Sequence, residues 1–282
     1  MGRIRSTLPL LMLLSSFVTA CGQVGLPKVV YVARHGQTEW NRVSRYQGDP
    51  DLDEVGYVNR VGLWLLLKDR PINAIYTSER LRTIRTAALL AKEKELTPKA
   101  IAALNEIEPG IFEGVCYARF GKPPIDPQAE QCKVLARGTK PELLESEMRR
   151  LAAQAEAHGL EGKLPLGESY RDVEERLKVF VQTLHQNYRD SEVLIVAHGV
   201  VNRILLAQLL GWPLESTRRL KQYNDQVYRI EYGERPSDAK LFLYTPGAGW
   251  KRCLAKPTEG QRFLDCDPSA ANEAPASQPT QH

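Results

Sequence analysis

Two short stretches constrain this chain more than anything else in it. Residues 28–33 and 193–197 are nearly unbroken apolar runs rich in valine, and each stops on histidine and glycine: "VVYVARHG" and "VLIVAHG". An apolar run without alternation suits a strand buried on both faces, the kind found in parallel sheets. In such sheets ligands sit outside the carboxyl ends of the strands. A strand that only had to end could end on Asn, Asp or Gly. Here the ends carry Arg34, His35 and Gly36 on one run and His198 and Gly199 on the other, so a cation and two imidazoles are placed where a site is expected.

The rest of the pattern agrees with an α/β fold and a mainly parallel sheet. Apolar residues recur at helical spacing over 55–67, and 74–77 is a short strand signal. A helix is predicted over 79–95, with Pro98 beyond its end. Residues 100–104 form another short apolar run. The stretch 172–188 is strongly amphipathic, with Val173, Leu177, Phe180, Val181 and Leu184 on one stripe. A helix over 200–210 and strands over 226–232 and 240–244 complete the alternation of strand and helix that defines the class.

The amino terminus reads separately. Arg3 and Arg5 precede an apolar stretch at 8–18 that is too short to span a bilayer, and the sequence then reads Val-Thr-Ala-Cys21. This resembles a bacterial lipoprotein signal, in which cleavage precedes a cysteine that is then lipidated. The resemblance implies a signal peptide at 1–20, a tether at 21–27 and a lipid on Cys21. It also implies a protein of the cell envelope held at the outer membrane and facing the periplasm. The whole chain carries a net charge of +4, and the first twenty residues hold two of those cations and no acid, leaving 4 − 2 = +2. A near-neutral chain without a basic stripe gives no warrant for a nucleic-acid partner, and none is expected. In an oxidising compartment the other cysteines can pair. Cys116, Cys132, Cys253 and Cys266 allow three pairings, of which Cys116–Cys132 with Cys253–Cys266 closes the shortest loops. Residues 115–140, with three prolines and a cysteine pair, read as an insertion. The catalytic domain is expected over 28–254, followed by a tail over 255–282 that is rich in Ala, Pro, Ser and Gln and is expected to be largely disordered after its last cysteine, Cys266.

Five segments resemble, in order, the histidine phosphatase superfamily in its phosphoglycerate-mutase-like branch: "RHGQTEWN", "TSERLRTIRTA", "LNEIEPGIFEG", "PLGESYRDVEER" and "VAHGVVNR". Together they run from the first strand to Arg203. The resemblance implies a three-layer α/β/α sandwich and a phosphohistidine intermediate. It makes His35 the nucleophile, Glu106 the proton donor, and Arg34, Arg82 and His198 the groups that hold the phosphoryl oxygens. It also points to Asn41, Gln47 and Gly48, with Gly36 and Gly199, as residues that line the substrate phosphate.

These residue types suit the chemistry. Phosphoryl transfer is mostly positioning and charge stabilisation, and arginine offers a planar fork for phosphate. A neutral imidazole is a good phosphoryl acceptor, and covalent capture divides one hard step into two. Glu108 and Glu113 compete with Glu106 for the acid role, and only the spacing back from Thr86-Ala87 selects Arg82 over Arg80 and Arg85. No cofactor or metal is implied. The expected activity is hydrolysis of a small-molecule or envelope phosphomonoester. The rivals are a phosphoglycerate-type mutase and a non-catalytic lipoprotein that binds a phosphorylated ligand.

Overall fold

The computed structural model describes residues 25–115, 141–253, 264, 266 and 267. The chain runs β1 (Val29–Arg34), α1 (Glu39–Arg42), α2 (Glu54–Leu67), β2 (Ile72–Thr77), α3 (Leu81–Glu93), β3 (Lys99–Ala100), α4 (Pro141–Ala157) and α5 (Tyr170–Asn187). It continues through β4 (Glu192–Ala197), α6 (Gly199–Leu209), β5 (Val227–Glu231), β6 (Lys240–Thr245), β7 (Gly249–Cys253) and β8 (Cys266–Asp267). The strands form one sheet in the order β3-β2-β4-β1-β5-β6-β7-β8. From β3 to β1 all pairings are parallel, and from β1 outward through β5 to β8 they are antiparallel.

The apolar runs explain the three layers. Successive strand residues point to opposite faces. Val30, Val32, Val193 and Ile195 pack with Val173, Leu177 and Leu184 of α5 and with Val201, Ile204 and Leu205 of α6. Tyr31, Ala33, Leu194 and Val196 pack on the other face with Leu63 and Leu67 of α2 and with Ala87 and Leu90 of α3. A strand covered by helices on both sides has no solvent face, so polar alternation is lost from its sequence.

Most of the expected elements are present within two or three residues. The helix expected from residue 79 starts at Leu81, because Ser78 Oγ accepts from the Arg80 amide and Glu79 N donates to Asn105, which makes 78–80 a turn. The run at 100–104 is a two-residue strand followed by a 3-10 turn at Ala102–Leu104. Strand β7 has no apolar signal, since "GWKRC" is only half-buried at the antiparallel edge. The sheet also continues past the expected domain boundary at residue 254, because β8 pairs with β7.

Cys253 and Cys266 face each other across β7 and β8 and are disulfide-bonded, as the local pairing requires. Cys21, Cys116 and Cys132, with the insertion at 116–140, lie outside the described residues. The Cys253–Cys266 bridge closes a separation of 13 residues. Closing a loop of that length is worth about 3 kcal/mol in the chain-entropy account. Urea unfolding of oxidised and reduced protein should therefore differ by about 2–3 kcal/mol, the reduced form being weaker.

Candidate active site

Arg34 ends β1 and Ala197 ends β4, and the two stand opposite each other in the parallel ladder. His35 N extends that ladder by donating to Ala197 O at 2.9 Å. Strand pairing thus brings His35 and His198 to the same edge of the sheet, with ring centroids 5.1 Å apart. Both are buried.

The geometry assigns the proton on His35. Its Nδ1 lies 2.7 Å from the Gly36 carbonyl, which can only accept, so Nδ1 carries the hydrogen and Nε2 keeps its lone pair. Burial holds His35 well below the ordinary imidazole pKa, and the charges of Arg82 and Arg34 push in the same direction. His198 is lowered too, first by burial and then by Arg82 and its neighbours. Its Nε2 is fixed by Ser78 Oγ at 2.8 Å.

Arg82 is fully buried on α3. Its Nη1 donates to Gly48 O at 2.5 Å, while Nε and Nη2 are buried and find no partner among the described residues. Burial lowers its pKa to about 10, so it stays a cation at neutral pH. A buried guanidinium with two orphaned donors is costly unless an anion meets them. Arg80 and Arg85 turn outward from the same helix, Arg80 to Glu108 at 2.8 Å and Arg85 toward Asp51 at 3.7 Å. The helix register therefore turns Arg82 inward and the other two arginines away from the sheet edge. Thr86 secures that register: its hydroxyl donates to Arg82 O and accepts from Gly36 N.

Glu106 reaches the first turn of α6. Its carboxylate accepts from the Val201 and Val200 amides at 3.3 and 3.5 Å and from Ile107 N at 3.0 Å. His198, the N-cap residue of α6, gives that helix no side-chain cap, and Glu106 takes the place of one. Glu108 is held by Arg80, and its backbone exchanges hydrogen bonds with Glu168. Arg176 binds Glu168 and also donates to Asn105 O at 2.7 Å. The fourth motif segment therefore clamps the loop that carries Glu106.

A cleft of about 490 Å³ is lined by Arg34, Asn41, Gln47, Glu106 and Gly199, among others. Arg34 Nη1 donates to Gln222 O at 3.0 Å. Asn41 Oδ1 is taken by Thr38, so Asn41 offers the cleft its amide donor. Gln47 spends both ends on protein, accepting from Thr38 Oγ1 and donating to Arg45 O. Gly48 is absent from the lining and instead supplies the carbonyl that holds Arg82. A Cβ on it would stand 2.3 Å from Glu113 Oε1. Gly36 is small for a reason other than closeness to phosphate: a Cβ there would lie 2.5 Å from the Gly56 carbonyl of α2.

Four supporting residues had no role assigned from the sequence. Ser78 and Thr86 lie inside the second motif segment, while Gln222 and Asn224, whose Nδ2 donates to His35 O at 2.7 Å, lie outside every motif. Among the described residues no group of three or more His, Cys, Asp or Glu is arranged to hold a metal ion.

A neutral, tautomer-fixed imidazole beside one buried and one half-buried arginine, a second imidazole and a carboxylate is a set of groups suited to phosphoryl transfer. The family model described as histidine phosphatase superfamily (branch 1) matches residues 30–133 and 129–242, and the chain belongs to that superfamily. It is an enzyme of the histidine-phosphatase type. A protein of Klebsiella pneumoniae named probable phosphoglycerate mutase GpmB is 29% identical over 209 residues, covering 73% of this chain and 86% of the relative. Among solved structures, the α-ribazole phosphatase of Shigella flexneri superposes with a TM-score of 0.57 at 23% identity, covering 73% of this chain and 91% of that one. A mycobacterial glucosyl-3-phosphoglycerate phosphatase gives 0.57 at 24% identity, covering 77% and 98%. These likenesses share the α/β fold with its mixed central sheet.

The depressed histidines set a pH dependence. His35, His198 and the half-buried His185 are all lowered in the folded protein, while unfolded imidazoles titrate near the ordinary value. Below about pH 6.5 the unfolded chain binds protons that the folded one refuses, so stability is highest above that pH and falls as pH drops. Each histidine contributes up to about 1.4 kcal/mol per pH unit on the acid side. Chemical denaturation between pH 6.5 and 5 should show this decline, and His35→Asn should make it shallower by one proton's worth.

Proposed function

We propose that this protein is a phosphomonoesterase that works through a phosphohistidine at His35, anchored to the cell envelope by a lipid on Cys21. The observation that carries the catalytic reading is the bare Nε2 of a neutral His35 beside the two orphaned donors of Arg82. Nε2 attacks phosphorus as the ester P–O bond breaks, and Glu106 gives its proton to the leaving oxygen. Arg34, Arg82 and His198 hold the three remaining phosphoryl oxygens. Water then attacks the phosphohistidine and loses its proton to the Glu106 carboxylate. Inorganic phosphate leaves, and the starting state returns.

The chain's relatives include proteins named as mutases, which favours one competing reading: the same histidine could return its phosphoryl group to a second position on a bound phosphoglycerate. An envelope address argues for hydrolysis, because glycolytic esters are cytoplasmic. The anchor reading is supported by the basic, apolar and small-residue pattern that ends at Cys21. The described chain begins at Gly25, on the amino-terminal side of β1, and the candidate site lies at the other end of that six-residue strand, about 20 Å away.

His35→Ala should abolish phosphate release from an aryl phosphate and leave no acid-labile phosphoenzyme; near-wild-type turnover would refute the nucleophile, and intramolecular phosphoryl migration without phosphate release would favour the mutase. Glu106→Gln should slow alkyl phosphates by roughly 10²–10⁴-fold but activated aryl phosphates much less, since only the former need a proton. For the anchor, Cys21→Ser should abolish acylation and shift the protein out of the membrane fraction, and a variant still acylated would overturn that part.

A further inference from the structure

The outward face of α2 is the wrong way round for a helix in water. A surface helix turns polar residues to solvent and an apolar stripe to the core. α2 buries Gly56, Leu63 and Leu67, yet its opposite face is apolar as well: Val55, Val58, Val61 and Leu65, with Tyr57 at one margin, are all exposed. They are five of the ten large hydrophobic side chains exposed among the described residues, so the exposure is concentrated on one helix. Val58 is 68% exposed and Leu65 55%, more than the edge of a packed contact would show. A contiguous apolar surface of this kind marks an interaction site.

Gly62 sits in the middle of this face. A Cβ on it would meet nothing within 4 Å. A single chain therefore gives no steric reason for a glycine in mid-helix, where it weakens the helix. Close approach of another backbone supplies one. Beside Gly62 a hollow of about 250 Å³ opens between α2, the start of β5 and the end of β6, lined by Val58, Leu66, Val227 and Tyr244 among others. The face thus carries a hole next to its knobs.

We propose that this face is the contact surface of a homodimer, in which α2 packs antiparallel on α2 of a second copy about a two-fold axis beside Val61 and Gly62. In that register Val58 of each copy meets Leu65 of the other, and Val61 and Gly62 each lie against their own counterparts. A two-fold contact must be self-complementary. The ends of α2 meet that condition: Glu54 in the first turn and Lys68 at the C-cap have no ion pair among the described residues, and antiparallel pairing brings each toward the opposite charge of the other copy. A membrane-surface helix lays Lys and Arg beside its apolar face, but no exposed position of α2 is basic. Residues 268–282 contain no Val, Ile, Leu, Met, Phe, Tyr or Trp with which the tail could cover the face. The pairing also bears on the site. Asn59 Oδ1 accepts from Gln37 N at 3.1 Å, and Asp53, the N-cap of α2, accepts from Gln37 Nε2 at 3.1 Å. α2 braces the loop after His35, and the second copy braces α2.

The test is copper–phenanthroline oxidation of the full chain carrying Val61→Cys, read on a non-reducing gel. A disulfide needs Cα atoms less than about 7 Å apart, a separation reached only beside the axis. Val61→Cys should give a covalent dimer that neither the wild type nor Val179→Cys gives, although Val179 on α5 is the more exposed position. Adding Gly62→Leu, which keeps the axes apart, or Val58→Glu/Leu65→Glu, which buries charge in the contact, should lower the cross-linked fraction about tenfold. Circular dichroism should show both added variants folded, and if the double variant does not fold, Gly62→Leu decides. A dimer that survives both additions would overturn this register. Absence of a Val61→Cys dimer would overturn the proposal whether maleimide labels the thiol, which shows an open face, or is shielded from it, which shows a lipid or another segment of this chain in place. A cross-link to a different protein would overturn it too.

Discussion

The pairing of β1 with β4 is the constraint on which the rest of the molecule depends. Six consecutive residues of each strand stand opposite one another, from Val29–Glu192 to Arg34–Ala197. Each strand presents alternate residues to two different helical layers, so a slip of one residue would exchange the two buried faces along the whole strand. The same slip would separate His35 from His198 by a strand residue's rise. Packing of valine and isoleucine therefore fixes the distance between the imidazoles, and the site inherits its geometry from the core.

The electrostatics of the site run against stability. Two imidazoles and a guanidinium are taken out of water within one small region, and the protein offers Arg82 a single carbonyl close by, with Asp49 at 3.8 Å. Desolvation pushes each group toward its neutral form, which for His35 is the nucleophilic form. Arg82 keeps its charge because a guanidinium starts from so high a pKa. The same burial thus separates roles: the imidazole gives up its proton, and the arginine stays ready for an anion. Two buried Arg82 donors with no partner among the described residues are what a site specialised for an anion looks like.

The groups that hold the reacting residues come from widely separated parts of the chain. Ser78 follows β2, Thr86 lies on α3, Gln222 and Asn224 precede β5, and Arg176 lies on α5. Each makes one to three hydrogen bonds to a reacting residue, its backbone or its loop. None stands out in a one-dimensional reading, because serine, threonine and asparagine are common and their value comes from partners far away in sequence. Gly36 and Gly48 carried a signal in their motifs, but the reason for it is steric: one lies under the Gly56 carbonyl and the other against Glu113.

The α/β class, both histidines at strand ends and the core stripe of α5 were legible in the sequence, because burial on two faces and helical amphipathicity leave patterns within a few residues of each other. Spacing only hinted at Arg82 over Arg80 and Arg85; the helix register turns the Arg82 guanidinium into the sheet edge and the other two outward to carboxylates. Glu106 and Glu108 are equivalent in composition, and Arg80 separates them by engaging Glu108 and leaving Glu106 at the α6 amides. The antiparallel half of the sheet beyond β6 left little trace, since edge strands with one wet face have no need of an apolar run.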